Sequence, residues 1–133
     1  MTVTDSVSQL TELTSAYPFA GTLERLTAAL EAAGMTIFAR IDHHAGALSV
    51  GLSMPPTSVL IYGNPRGGTP LMLEAPACAL DLPLRVLVRE DGAGATRVSF
   101  HPAAALMRAF GLPDERGVGL AKAEALIENA INA

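Results

Sequence analysis

The 133-residue chain has room for one domain, and its 50% hydrophobic residues can supply a core. A net charge of −4, nine Lys and Arg residues and no Trp exclude the basic and stacking surface that a nucleic-acid partner needs. No apolar run approaches the ~20 residues of a membrane span, and no secretory signal is visible. A single Cys excludes an internal disulfide. We therefore expect a cytoplasmic protein with neither nucleic acid nor membrane as a partner.

The first predicted elements are a strand and a helix. Residues 1–8 are polar and are expected to be a flexible N-terminus, and the segment QLTELTS after them predicts a strand. GTLERLTAALEAAG predicts a helix, because its leucines recur at three- and four-residue steps and make one face apolar. Thr22 is predicted to cap the start of this helix, and Gly34 is predicted to end it.

Strands dominate the middle of the chain. MTIFARID alternates between apolar and other residues, and TSVLIYG is dense in β-forming residues, so each predicts a strand. LPLRVLVREDGAGATRVSF predicts a hairpin with its turn at DGAG. HHAGALSVGLSMPP is expected to connect two strands and has room for a short helical turn. TPLMLEAPACAL predicts a short helix capped by Thr69 and broken at Pro76.

Two helices are predicted after the hairpin. PAAALMRAF begins at Pro102 and ends at Gly111, and the C-terminal helix at 118–131 has one apolar side. The order of elements over residues 1–133 predicts a single α+β domain with an antiparallel sheet covered on one face by helices. A doubly wound parallel sheet is disfavoured, because strict alternation of strand and helix fails in the second half.

Three blocks, MTIFARIDHHAGA, YGNPRGGTPLM and DLPLRVLVRED, resemble in order and spacing the domain-of-unknown-function 302 family. The resemblance runs from about Phe19 to Leu112 and implies a compact α+β domain of β-α-β(4)-α type with no established biochemical activity. The sequence departs from the family pattern at His44, where a small or polar residue is expected, and at His101, where a short Asp or Asn cap is more usual. The family-typical residues are Asp42, His43, Ala47, Gly51, Pro56, Gly63, Asn64, Pro65, Gly68, Thr69, Leu71, Met72, Asp81, Pro83 and Leu84.

The loop YGNPRGGTP is the main candidate for a ligand site. It fits neither the P-loop nor the dinucleotide-binding pattern. Its glycines are expected to expose backbone N–H groups beside Arg66 and a helix N-terminus, an arrangement that suits a phosphate or carboxylate. The alternative, in which the same residues only turn the chain and cap the helix, stays open. The predicted ligand-binding residues are His43, Asn64, Arg66, Gly67, Gly68 and Thr69.

Asp42, His43 and His44 suggest a metal site or a proton shuttle. Neighbouring strand residues face opposite ways, however, and no further ligand motif completes a zinc site, so we expect no metal. A hydrogen-bonded His43 that holds the loop at 43–56 is the structural alternative. Cys78 lies in the apolar segment APACAL and is expected to be a core residue.

We therefore predict that the chain binds a small anionic or amphipathic ligand near the loop at 63–69, with no catalysis and no cofactor. One alternative is a homodimeric interaction module without a small-molecule ligand, which would use a sheet edge or the C-terminal helix. A second alternative is a metal-dependent or His-based hydrolase that uses His43 or His44.

Overall fold

The computed structural model describes residues 10–133, and the predicted flexible N-terminus at 1–8 lies outside them. Its strands are β1 (Thr11–Thr14), β2 (Thr36–Asp42), β3 (Thr57–Gly63), β4 (Leu84–Glu90) and β5 (Thr96–Phe100). They form one sheet in the order β1-β5-β4-β3-β2, in which every neighbouring pair is antiparallel. The predicted α+β fold with an antiparallel sheet is confirmed.

Five helices between residues 10 and 133 accompany the sheet, and two of them cover one of its faces. The helices are α1 (Phe19–Ala32), α2 (His43–Ser49), α3 (Pro65–Glu74), α4 (Ala103–Ala109) and α5 (Val118–Ile131), with short 3-10 turns at Pro76–Asp81 and Asp114–Gly117. The connection predicted between β2 and β3 contains α2, and Asp42 caps it by accepting a hydrogen bond from Ala45 N at 2.9 Å.

The main core lies between the sheet and the helices α1 and α5. Alternate residues of the three central strands point toward these helices, because successive side chains of a strand face opposite ways. Leu26 and Ile127 are fully buried among them. The strand residues of this core are Leu60, Tyr62, Val86, Val88, Val98 and Phe100.

A second cluster of buried residues lies beside the first. It brings together residues of α3, the 3-10 turn, α4 and the start of α5, among them Leu71, Met107 and Leu120. Cys78 is part of this cluster and is 0% exposed, so the prediction of a core cysteine is confirmed.

The start of α1 differs from the prediction. The helix begins at Phe19, so Thr22 lies inside it and is fully buried. The Thr22 hydroxyl donates to the carbonyl of Tyr17 at 3.1 Å and shares a 2.7 Å hydrogen bond with the Ser15 hydroxyl. Thr22 therefore ties the helix to the chain before it and does not cap it. The predicted end is confirmed, because Gly34 has a φ of 83°.

Candidate functional site

The predicted loop at 63–69 is the first turns of α3. Asn64 is the N-cap residue, and its Oδ1 accepts a hydrogen bond from Arg66 N at 3.0 Å. The Asn64 carbonyl accepts from Gly67 N at 2.9 Å and from Gly68 N at 3.0 Å. The expectation of uncovered amide donors at these three residues is therefore wrong, because the helix begins earlier than predicted. Thr69 is not the cap but an interior residue of the helix.

The glycines of this segment do not form an open turn. Gly67 and Gly68 lie within the helix and are not among the glycines with a positive φ. Gly63 permits a close approach instead, since a Cβ added there would lie 3.3 Å from Cβ of Pro83 and 3.6 Å from Cε2 of Phe38. Ligand binding through the side chains of Asn64, Arg66 and Thr69 stays a prediction.

His43 lies far from this segment. In the antiparallel pair of β2 and β3, Thr36 is opposite Gly63 and Asp42 is opposite Ser58. His43, which directly follows β2, therefore lies beside the start of β3, whereas Asn64 follows the end of β3. The seven residues of β3 span about 20 Å. The predicted cleft that joins His43 to the 64–69 segment does not form, because the antiparallel register separates its two halves.

The histidine pair is also arranged differently from the prediction. His43 is exposed, whereas the Nδ1–H of His44 donates to the carbonyl of Met54 at 2.6 Å and holds the connection between β2 and β3. The structural role expected of His43 is thus filled by His44. Among residues 10–133, no group of three or more His, Cys, Asp or Glu side chains is placed to hold a metal ion.

A cleft of about 590 Å³ opens where β5 separates from β4. Pairing of these strands ends at Leu87 and Ser99, and after Phe100 the chain turns away into α4. The gap between β4 and α4 is lined by apolar side chains that include Leu84, Leu87 and Leu106. This volume lies within the range of about 300–1,000 Å³ that is usual for small-molecule sites.

Polar side chains, three of them ionic, line the same cleft. Arg85 comes from β4, Arg108 from α4, Asp81 from the 3-10 turn and His101 from the segment before α4. Neither Arg85 nor Arg108 takes part in an ion pair with another residue between Leu10 and Ala133. Two guanidinium groups are thus left to meet an anion beside an apolar wall.

The inner part of the cleft contains Tyr62 and Glu124. Tyr62 is 2% exposed, and burial, with a smaller contribution from the Glu124 carboxylate, raises the pKa of its phenol. Burial also raises the pKa of Glu124, although the backbone N–H of Ala103 favours the ionised form. Within the described part of the chain the Tyr62 hydroxyl has no hydrogen-bond partner.

The raised pKa of Glu124 leads to a prediction about the pH dependence of stability. A carboxyl group whose pKa is raised on folding holds its proton more tightly in the folded protein. Its contribution to stability is therefore fully present below the pKa of the unfolded state and is lost as the pH rises through the pKa of the folded state. Glu124→Gln keeps an acceptor for the Ala103 amide and removes the charge. We expect its Tm to exceed that of the parent by about 2 °C at pH 7, a modest value because the carboxylate is partly solvated.

Thermal unfolding followed by circular dichroism checks this prediction. The difference in Tm is expected to disappear near pH 4, where the parent carboxyl is protonated. Glu24→Gln on the exposed side of α1 serves as the control and is expected to change Tm little. A Tm gain that is the same at both pH values would show that the charge of Glu124 is not its cause.

The fold and the cleft define a small α+β domain in which helices cover one face of a five-stranded antiparallel sheet. The sequence model described as "Domain of unknown function DUF302" matches residues 11–133, and the chain belongs to this family. The match includes α5, which the sequence resemblance had left outside.

A solved structure supports the fold. The crystal structure of the uncharacterized conserved protein DUF302 from Bacillus stearothermophilus has a TM-score of 0.82 and 18% sequence identity. The similarity covers 92% of this chain and 98% of that chain. At this level of identity the similarity concerns the fold alone.

Two curated relatives are ion channels by name. "Fluoride-specific ion channel FluC 1" of Brucella suis biovar 1 and the protein of the same name of Brucella abortus biovar 1 are each 46% identical over 87 residues, or 65% of this chain. The chain spans only about a third of their length, 34% and 32%.

No helix between residues 10 and 133 combines the length and the apolar content that crossing a bilayer requires.

Proposed function

We propose that this DUF302 domain binds a small amphipathic molecule with an anionic group in the cleft between β4 and α4, without catalysing a reaction. One observation carries the proposal: Arg85 and Arg108 line an apolar cleft, and no described ion pair uses either guanidinium. A guanidinium offers several N–H donors in a planar fork that matches a carboxylate or a phosphate.

The apolar wall supports the amphipathic part of the proposal. Leu84, Leu87 and Leu106 offer a surface on which a hydrocarbon segment loses its contact with water, which is worth about 25 cal/mol for each Å² buried. An inorganic anion would use the arginines and leave this surface wet. A molecule with an anionic group and a hydrocarbon segment contacts both the arginines and the apolar wall.

The cleft lies at the same end of the sheet as the segment that the sequence indicated. Tyr62 lines the cleft and directly precedes Gly63, which lies against Pro83. The proposed ligand therefore binds close to the 63–69 segment, through residues of β4 and α4 in place of the helix amides.

Binding of decanoate tests the proposal. We expect calorimetric titration below the micellar concentration to show saturable binding to the parent, and uncharged decanol to bind more weakly. Arg85→Ala combined with Arg108→Ala is expected to weaken decanoate binding by about tenfold or more, because hydrogen bonds between charged groups are lost. Arg66→Ala, an exposed arginine of the predicted loop, is the matched control and is expected to bind as the parent does.

Two results would overturn the proposal. One is the absence of decanoate binding to the folded parent protein. The other is a loss of affinity in Arg66→Ala that equals the loss in the double variant, because this result moves the anion from the cleft to the start of α3.

The names of the Brucella relatives favour a second candidate function, an interaction module associated with an ion channel. In these proteins the matched segment belongs to a longer chain that is named a fluoride-specific channel. We propose that the present chain associates with a channel protein of this kind. The test is co-purification with the Brucella suis protein from which the matched segment is deleted, and failure to associate at micromolar concentrations excludes it.

The homodimer stays a prediction. Several large apolar side chains of β2, α2 and the connection after α2 are more than 40% exposed and are available to a partner: Phe38, Ile41, Leu48, Val50 and Leu52. Sedimentation as a monomer at high protein concentration would exclude self-association.

A further inference from the structure

The two polar ends of the cleft lie on opposite sides of the sheet. Val86 of β4 belongs to the core beneath α1 and α5, so Arg85, the residue before it, points to the other face. Tyr62 belongs to the core side, and Glu124 comes from α5 on that side. All but Val86 line the cleft, which therefore passes around β4 from an outer cationic end to an inner end on the helix side.

The inner end is rich in hydrogen-bond acceptors. The Glu124 carboxylate only accepts hydrogen bonds when it is ionised, and no described ion pair includes it. The Tyr62 hydroxyl finds no hydrogen-bond partner among residues 10–133. It is not among the fully enclosed polar atoms that lack a partner, where only the Ser58 hydroxyl occurs in this part of the chain. The Tyr62 hydroxyl is therefore open to the cleft that it lines, where it can bond to water or to a ligand.

A hydroxyl group on a ligand satisfies both residues at once. Its hydrogen is donated to the Glu124 carboxylate, and its oxygen accepts the hydrogen of the Tyr62 phenol. A methyl group in the same place bonds to neither residue: it displaces water from the Tyr62 hydroxyl and leaves the Glu124 carboxylate with the Ala103 N–H alone. The inner end thus distinguishes a hydrocarbon chain that ends in a donor from one that ends in a methyl group.

We infer that the cleft prefers amphipathic anions that carry a hydroxyl group at the end remote from the anionic group, which meets Tyr62 and Glu124 while the anion meets Arg85 and Arg108. This inference rests on the proposed function, since it concerns the same cleft. Tighter binding of the hydroxylated ligand would be informative, because burying a hydroxyl group in a cleft without suitable partners lowers affinity.

The test compares each unsubstituted fatty acid with the ω-hydroxy acid of the same length. Hexanoate, octanoate and decanoate are titrated beside their ω-hydroxy forms in a calorimeter. We expect the ω-hydroxy acid of at least one length to bind about tenfold more tightly than its partner. In Tyr62→Phe, which keeps the aromatic ring, and in Glu124→Ala the unsubstituted acid is expected to bind at least as tightly as its ω-hydroxy form.

The double variant Arg85→Ala, Arg108→Ala separates the two claims. It is expected to weaken both acids of a pair and to keep their ratio. Equal binding of both acids to the parent, or tighter binding of the unsubstituted acid at every length, overturns the inference and leaves the proposed function standing. Absence of binding for all six acids overturns both. A ratio that persists in Tyr62→Phe and Glu124→Ala, with far-ultraviolet circular dichroism and cooperative thermal unfolding like those of the parent protein, also overturns the inference.

Discussion

Leu26→Ala is expected to lower the free energy of unfolding by about 3 kcal/mol, the largest effect that we predict for a single substitution. Leu26 is 0% exposed and lies on the face of α1 that meets the central strands. The substitution removes buried methyl groups and leaves a cavity, because close-packed neighbours relax only in part. Urea denaturation followed by circular dichroism measures this change as a lower midpoint with an unchanged slope.

Leu73→Ala is the matched control for this prediction. Leu73 lies in α3 and is 79% exposed, so the same change of side chain removes very little buried apolar surface. Its effect is expected to stay below about 0.5 kcal/mol. Similar losses from both substitutions would mean that α1 does not pack against the sheet as described.

Asn64→Ala is expected to lower the free energy of unfolding by about 1 kcal/mol. The substitution removes the Oδ1 atom that accepts the hydrogen bond of Arg66 N at 3.0 Å. The adjacent Pro65 needs no such acceptor, since it has no N–H group, and its ring suits the first position of a helix. Chemical denaturation of the purified variants measures the loss.

Thr69→Ala and Asn64→Asp complete this experiment. Thr69 is an exposed residue inside α3, so its replacement is expected to cost less than about 0.5 kcal/mol. Asp keeps a capping oxygen and is expected to retain most of the stability of the parent. A larger loss from Thr69→Ala than from Asn64→Ala would favour the helix start predicted from the sequence.

The regular elements were predictable because their signals are local. The leucine spacing of α1 and the alternation of Leu84, Val86 and Val88 in β4 record directly which side faces the core. The helix starts were predicted less well. A Thr before an apolar segment resembles a cap, yet the earlier prolines, Pro18 and Pro65, open α1 and α3 sooner.

The candidate cleft was not predictable in the same way. Tyr62, Arg85, His101, Arg108 and Glu124 belong to five separate segments, and no spacing rule connects them. Of these, only His101 was noted, as a departure from the family pattern. They come together because β5 diverges from β4 after Ser99. This divergence is a feature of the tertiary structure, and no local sequence pattern predicts it.

The pattern of apolar residues along the chain by itself determined the α+β class, the order of strands and helices, and the side of α1, α5 and β4 that is buried, because backbone periodicity links each side chain to a direction. Which strand ends meet was decided only by the tertiary structure. His43 follows β2 and Asn64 follows β3, and the antiparallel pairing of these two strands places the residues at opposite ends of the sheet. The divergence of β5 from β4 after Ser99 likewise places α4 across a cleft from β4, since long-range contacts depend on strand order and register.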